Sequence, residues 1–395
     1  MISLSDAIQL VYRHSEGTQE WEEVSLMESY GRVAAEDYRA KEDSPPWDTS
    51  ALDGYAVRAE DVAAVPATLK VVADIPAGVY PDVQIGAGEA AKIMTGAPIP
   101  KGADTIIPVE HTSGYSLETV DILKPAQKGD GVRKQGENIH AGHVAIPRGT
   151  KINSKEMAIL ASTGYSRVRV FRRPKISILS TGDEIVDIEE PLRPGQIRNS
   201  NAYMLMSLCQ YWRGETRILG IAKDTKEDVT QKIKAGLESD FLIITGGASV
   251  GERDFVKEVF SEEGVEIYFN KVNLKPGKPV VFGKKGNTHI FGLPGNPVSA
   301  FVTFLLLLER GLEKFFHLPQ GPFYSRGRIS KNMSPHSRER FLPAKYEAST
   351  GMVSPLPWKG SGDLFILKDT NCLLHIPPNM EVSKDSEVEF LPLSY

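Results

Sequence analysis

Apolar residues recur along the chain with two different spacings, and the spacing changes as the chain proceeds. Leu4, Ile8 and Val11 share one helical face, and Ser3 with Asp6 can form a capping box, so residues 3–14 are expected to be a helix. Asp43 to Asp53 contains Pro45, Pro46 and short polar residues and reads as a loop crossing between domains. From 54 to 140 the helical period disappears. Short β-type runs at Leu69–Ile75, Ala91–Met94 and Thr105–Glu110 alternate with Gly/Pro turns, which predicts a small β-rich domain inserted between segments that belong together. A strand-like piece at His143–Pro147 and a helix at Ser154–Ser162 follow.

From about 171 the rhythm becomes strand, loop, helix. Lys175–Leu179, Arg217–Ile221, Phe241–Thr245 and His289–Gly292 read as apolar strands. Asn199 or Ser200 can cap a helix striped by Ala202, Leu205, Cys209 and Trp212. Thr225 and Asp228 can cap one striped by Val229, Ile233 and Leu237. Asp254 to Phe260 is expected to be helical, and Asn296 and Pro297 suit the cap and first position of the apolar helix Val298–Leu308. Alternating strands and helices predict an open parallel α/β sheet, and the return of Pro and β-type residues after 320 predicts a C-terminal β domain. The expected architecture is multidomain α/β. An N-terminal linker domain is split between 1–45 and 141–172, a β-rich domain is inserted at 46–140, an α/β domain spans 173–318 and a β domain spans 319–395.

Composition narrows the function classes. The net charge of −5 and the lack of any run of five Lys/Arg argue against a nucleic-acid footprint. No secretory pattern opens the chain, and the longest apolar run, Val298–Leu308, is too short to span a bilayer. Two cysteines, Cys209 and Cys372, leave no disulfide framework or CxxC zinc site and fit a reducing cytoplasm. The 35 glycines and 26 prolines indicate many sharply specified turns.

Those turns carry the candidate chemistry. Three strands run into glycine-rich loops and then helices: Ser180-Thr181-Gly182-Asp183-Glu184, Thr245 to Asp254 (with Gly246, Gly247 and Ser249), and Gly292 to Ser299 (with Pro294, Gly295, Asn296 and Pro297). Backbone N–H groups at strand ends and helix starts favour anions, so three such loops in one domain point to a phosphate or oxyanion site. None matches a P-loop or the GxGxxG fingerprint, which demotes ATPase and dinucleotide-dehydrogenase readings. Lys271, Lys275 and Lys278 lie on or beside the stiff Lys-Pro-Gly-Lys-Pro segment, equally readable as a solvated loop or an anion clamp. Asp183, Glu184, Asp224 and Asp254 are helix caps or, taken together, ligands for a divalent ion such as Mg²⁺ bridging to phosphates. The eight histidines show no ligand spacing, and Cys209 reads as core.

The ordered set PPWDTSALDGYAV, IMTGAPIPKGADTIIPVE, GENIHAG, ISILSTGDEI, GQIRNSN, TGGASVGERDF, LKPGKPVVFG and FGLPGNPVSAFVTF resembles the MoeA family of molybdopterin molybdenumtransferases, which includes the gephyrin E domain. The resemblance covers about 45–304. It implies a central MogA-like molybdopterin-binding α/β domain and a homodimer. It also implies insertion of molybdenum from molybdate into the dithiolene of adenylylated molybdopterin, with release of AMP and Mg²⁺ involved. The metal delivered would be held by substrate sulfurs. The family's functional acids fall on Asp53, Glu184, Asp224 and Asp254, its threonine on Thr95, its lysines on Lys271, Lys275 and Lys278, and its prolines on Pro294 and Pro297. Arg338 and Ser361 match its C-terminal Arg and Ser. Glu184, Asp224 and Asp254 would hold the metal, and the motifs around Asp53 and Thr95 would reach the partner subunit's site. An upstream molybdopterin adenylyltransferase would supply the substrate. Departures are Asn138 and Asn199 in place of family acids, Ala248 in the GGVSVG motif and the Glu252-Arg253-Asp254 spacing. Alternatives are a non-enzymatic scaffold, a tungstate-specific insertase, or an enzyme of the same α/β fold acting on another nucleotide. The last would not need the 45–55 and 93–100 motifs.

Overall fold

A computed structural model describes residues 1–246 and 255–393. The first helix, α1 (Leu4–His14), starts where expected: the Ser3 hydroxyl accepts the Asp6 N–H, and Leu4, Ala7, Ile8 and Val11 are buried. The two N-terminal segments find each other across the intervening insert. Trp21–Ser25 pairs antiparallel with Arg167–Phe171, and Tyr38–Arg39 with Val144–Ile146. The helix α2 (Ser154–Ser162) closes that layer with Leu160 in its core. Between the two segments lies a five-stranded sheet in the order Thr105–Pro108, Gly54–Val57, Glu89–Ile93, Ala67–Ile75, Thr119–Ile122.

The central sheet has six strands: β1 (Lys175–Thr181), β2 (Glu215–Ala222), β3 (Phe241–Thr245), β4 (Glu266–Lys271), β5 (Pro279–Lys285) and β6 (Thr288–Leu293). Their order is β2-β1-β3-β6-β5-β4. The four strands from β2 to β6 are parallel, as the strand–helix rhythm requires, whereas β5 and β4 add antiparallel. The antiparallel edge arises because β4, β5 and β6 follow one another without a crossover helix. β1, β3 and β6 are buried almost throughout, as expected of a sheet covered on both faces. The helices α3 (Ser200–Tyr211), α4 (Lys226–Gly236) and α5 (Phe255–Glu262) flank it. Asn199 caps α3 by accepting the Ala202 N–H, and Thr225 caps α4 by accepting the Asp228 N–H.

The apolar helix runs further than its sequence pattern suggested. α6 (Pro297–Thr303) passes through a π turn at Phe304–Leu308 into α7 (Glu309–Phe315), and almost every residue is buried. Charges enter this core only with partners. Arg310 pairs with Glu309 at 3.1 Å and Glu313 at 2.9 Å. Trp212 Nε1 donates to Glu309, while Tyr12 and the Gly321 N–H donate to Glu313. Burial pushes the Glu309 carboxyl up to about 7. The network ties α1 and the chain leaving for the C-terminal unit to one buried helix.

That unit is a closed β structure. Glu339–Glu347, Met352–Pro355, Ser325–Ile329, Glu387–Pro392 and Cys372–Ile376 pair in succession, and the last pairs back onto the first. A two-residue strand of the central chain, Leu274–Lys275, adds in parallel to Glu339–Arg340. Cys209 and Cys372 are both fully buried. Among the described residues, no helix is long and apolar enough to cross a membrane.

His289, buried on β6, is held as the neutral tautomer. Its Nδ1–H donates to the Asp240 carbonyl at 3.2 Å and its Nε2 accepts the Glu16 N–H at 3.3 Å. Burial lowers it from 6.5 to about 4. The unfolded chain therefore binds a proton that the folded chain refuses as pH falls between these values, and stability is lost over that window. Wild type should lose roughly 2–3 kcal/mol more unfolding free energy than His289→Gln between about pH 7 and pH 4, measured by urea unfolding. Equal losses would contradict the buried neutral imidazole.

Candidate active site

A cleft of about 850 Å³ opens beyond the carboxyl ends of β1, β3 and β6, where an open α/β sheet places its ligands. One wall is made by Ser180 and Thr181 from β1, Thr245 and Gly246 from β3, and Pro294 to Pro297 after β6. The residues Arg198 to Asn201, leading into α3, complete that wall. Across from them stand Lys275 to Pro279, Arg338, and Trp358 with the Gly360-Ser361-Gly362 turn of the C-terminal unit. The cleft thus lies between two folding units: Arg338 and the segment from Trp358 to Gly362 come from the C-terminal unit, while Lys275 to Pro279 shortly precede Pro294 in the chain.

The strand-end wall is locked by a small polar network. Ser180 Oγ donates to Asn199 Oδ1 at 3.0 Å. Asn201 Nδ2 donates to Thr245 Oγ1 at 3.0 Å and to the Gly295 carbonyl at 2.7 Å. One side chain on α3 therefore holds the β3 and β6 loops in register, while its Oδ1 is buried without a hydrogen-bond partner. The loops approach so closely that Gly246, at φ +104°, has no room for a side chain: a Cβ would stand 2.0 Å from the Thr181 carbonyl oxygen. Gly277, at φ +109° in the lysine-rich loop, is similarly confined by Thr303 at 2.5 Å.

Two contacts join the walls. Asn296 Nδ2 donates to Ser361 Oγ at 2.9 Å, and the Val298 N–H donates to the Ser361 carbonyl at 3.0 Å. Asn296 does occupy the cap position of α6, but its side chain makes no capping bond. Its amide serves the cleft instead.

Among the described lining residues the charged ones are Glu184, Arg198, Lys275, Lys278 and Arg338. Four cations against one carboxylate make this an anion cleft in a chain of net charge −5. Arg198 is already engaged, donating to the carbonyls of Ile188 and Glu190. Lys275, Lys278 and Arg338 line the far wall, where Arg338 Nη1 also donates to the Leu274 carbonyl at 3.3 Å.

The residues singled out in the sequence divide into four groups. Ser180, Thr181, Glu184, Gly246, Lys275, Lys278, Pro294, Gly295, Asn296, Pro297, Arg338 and Ser361 all line the cleft. Gly182, Asp183, Asp224 and Lys271 do not, although each lies on or beside the strand ends: Asp183 and Asp224 are exposed and Lys271 is half-buried opposite Pro279. Asp53 and Thr95 lie in turns beside strands of the inserted sheet. Thr95 donates both its N–H and its hydroxyl to Asp53 Oδ1, each at 2.7 Å, and these bonds hold the Asp53 carboxyl below its usual range. Gly247, Ser249 and Asp254 lie outside the described residues. No group of three or more His, Cys, Asp or Glu that could hold a metal occurs among the described residues.

Asn201, Ser299 and Trp358 line the cleft but were not singled out as site residues. A polar residue next to a helix cap signals Asn201, and the Trp-Lys-Gly-Ser-Gly run around Ser361 signals Trp358. Ser299 carries no such signal within an apolar helix.

A glycine-lined, cation-rich cleft between an open α/β unit and a β-barrel-like unit defines a multidomain α/β protein with a strand-end anion cleft, and the comparisons with known proteins place it in a family. Residues 2–164 match the MoeA N-terminal region (domain I and II), 177–314 a probable molybdopterin binding domain, and 327–393 the MoeA C-terminal region (domain IV). The molybdopterin molybdenumtransferase of Nostoc sp. is 36% identical over 394 residues, covering 95% of this chain and 90% of that protein. The enzyme of the same name from Bacillus subtilis is 32% identical over 390 residues, with the same coverage. The structure of the molybdopterin biosynthesis moeA protein from Pyrococcus horikoshii OT3 superposes with a TM-score of 0.87 at 29% identity over all of both chains. The chain belongs to the MoeA family.

Gly246→Ala should disrupt the cleft by forcing the β3 and β1 loops apart, costing roughly 2–4 kcal/mol from the clash and the positive φ. Asn201→Leu, which removes both loop-bridging bonds, should cost roughly 1–3 kcal/mol. Thermal unfolding checks both. A fully stable Gly246→Ala protein would contradict the close approach.

Proposed function

We propose that this chain inserts molybdenum from molybdate into the dithiolene of adenylylated molybdopterin, with release of AMP. The observation that carries this reading is the two-walled anion cleft. The glycine-lined strand ends and the start of α6 present N–H groups suited to the phosphates of a pterin nucleotide. The lysine-rich loop, Arg338 and Ser361 present three cations and a hydroxyl suited to a second, compact oxyanion. The relatives named molybdopterin molybdenumtransferase support the transfer of molybdenum to molybdopterin.

On this reading each residue has a task. Thr181, Gly246 and Asn296 orient the nucleotide phosphates. Lys275, Lys278 and Arg338 hold molybdate against the dithiolene, and the molybdenum leaves on the substrate's sulfurs. That assignment requires no free thiolate from the protein, and both cysteines are buried. Mg²⁺ takes few carboxylates and otherwise binds phosphate and water. Glu184, whose carboxylate folds over Gly182 at the cleft, fits as its protein donor together with the substrate phosphates. Bound there, the ion would neutralise phosphate charge. Asp254 and Asp224 would be further donors, although Asp224 is not among the described residues that line the cleft. Asp53 and Thr95 would enter the cleft of a partner subunit in a homodimer, fixed by their mutual hydrogen bonds. An upstream molybdopterin adenylyltransferase would supply the substrate in the cytoplasm.

The test is insertion of molybdenum from molybdate, measured as active cofactor formed, with tungstate in parallel. Lys275→Ala and Asp53→Ala should each lose at least about 100-fold in rate while remaining folded. Co-expressed, the two variants should recover about a quarter of wild-type activity, because half of the dimers are mixed and each has one intact cleft. No recovery would sink the shared-site reading and leave the cleft assignment standing. Full activity in Lys275→Ala would sink the cleft assignment. Inactivity of the wild type with either oxyanion would favour a scaffold.

A further inference from the structure

His336 belongs to none of the family motifs, yet it stands beside two cations that line the cleft, Lys275 and Arg338. It is half-buried, on the loop that leads into the strand Glu339–Glu347. Its Nδ1 accepts the Arg338 backbone N–H at 3.0 Å, and its Nε2 lies 3.3 Å from Lys275 Nζ.

These two neighbours fix the hydrogen on the ring. A neutral imidazole has one donor nitrogen and one acceptor nitrogen. The Arg338 N–H belongs to the backbone and cannot turn aside, whereas a lysine head swings on a flexible stem. Nδ1 is therefore the acceptor, and the hydrogen sits on Nε2, the atom facing Lys275. Desolvation first, and then the Lys275 charge, hold the ring below the ordinary imidazole range, with smaller contributions from Arg338 and Arg340. The ring is thus a neutral donor set beside an ammonium. An ammonium has three donors and no acceptor, so neither group can satisfy the other. Both donate toward one space beside the cleft wall.

We propose that His336 is an anion-binding residue of the cleft, whose neutral Nε2–H donates together with Lys275 to one oxygen of the bound oxyanion. The two nitrogens stand 3.3 Å apart, so a single oxygen at about 2.9 Å from each accepts from both. The lysine supplies charge. The imidazole supplies direction, because the Arg338 N–H pins its ring. An oxygen that carries its own hydrogen would bring a third donor into that space. The pair therefore favours a fully deprotonated oxygen, as a tetrahedral dianion presents. The inference rests on the oxyanion reading given above.

Calorimetric titration of the whole protein with molybdate, and separately with sulfate, tests the donor. In H336N the carboxamide oxygen can replace Nδ1 as acceptor for the Arg338 N–H, while no donor takes the place of Nε2. In H336Q the carboxamide nitrogen can take the place of Nε2, while the acceptor for Arg338 is lost. H336N should bind molybdate roughly tenfold more weakly than wild type, the effect of one charge-assisted donor. H336Q should bind it more tightly than H336N. The reverse order would show a ring that acts only through the Arg338 backbone and would overturn the donor alone, as would wild-type affinity in H336N. Absence of binding of either anion by wild type would overturn the oxyanion reading and the donor with it. Should both variants fail to fold, long-range proton–nitrogen NMR of the histidine rings in wild type decides. It should show His336 as the Nε2–H tautomer, with that resonance displaced at saturating molybdate. An Nδ1–H tautomer, or an undisplaced Nε2–H, would overturn the proposal.

Discussion

The cleft depends on two residues of backbone pairing. Leu274–Lys275 leaves the central unit and joins the C-terminal sheet in parallel with Glu339–Arg340. The Glu339 N–H donates to the Asn273 carbonyl, Asn273 Nδ2 to the Ser337 carbonyl and Arg338 to the Leu274 carbonyl. Backbone hydrogen bonds are directional and have few alternative registers. A seam this short therefore fixes the relative placement of Lys275, Arg338 and His336. The Asn296–Ser361 contact makes a second join on the strand-end side. Between the two joins the walls can be lined with charge and glycine, both poor at cohesion, because cohesion is supplied elsewhere.

It is supplied by the buried helical run from Pro297 to Phe315. Its apolar residues share one core with α1, α3 and β6, so the N-terminal segment, the central sheet and the start of the C-terminal unit are packed on a single body. The paired charges within it are costly to bury and strongly destabilising to break singly, at about 3–5 kcal/mol for loss of one partner. Arg310 is the hub, since both Glu309 and Glu313 depend on it. The polar interior of this helix thus constrains how the units meet, while the apolar part supplies most of the burial.

Local rules made most of the α/β unit legible. The caps at Asn199 and Thr225, the strand Phe241–Thr245 and the helix Ser154–Ser162 fall where propensity and periodicity place them. The strands Glu266–Lys271 and Pro279–Lys285 were not legible, because their register is satisfied by neighbours in a mixed sheet rather than by an alternating pattern of their own. The glycine loops could be read as anion loops, yet not which of them meet. Gly182 and Gly246 look alike in sequence, and only Gly246 lines the cleft.

The amino-acid sequence alone determined the class of chemistry: glycines and prolines at strand ends, lysines on a stiff loop, and motifs in the order of one family. Those features are local in backbone conformation or in residue type, so neighbours along the chain suffice to specify them. Tertiary structure decided which residues share a site. It brought Leu274 to Arg338, Asn201 to Gly295 and Asn296 to Ser361, pairs separated by tens of residues. It also kept Asp53 and Thr95 at strand ends of the inserted sheet, away from the cleft lining. The physical reason is that a cleft between folding units is created by their packing, and its complete lining draws on segments of both units.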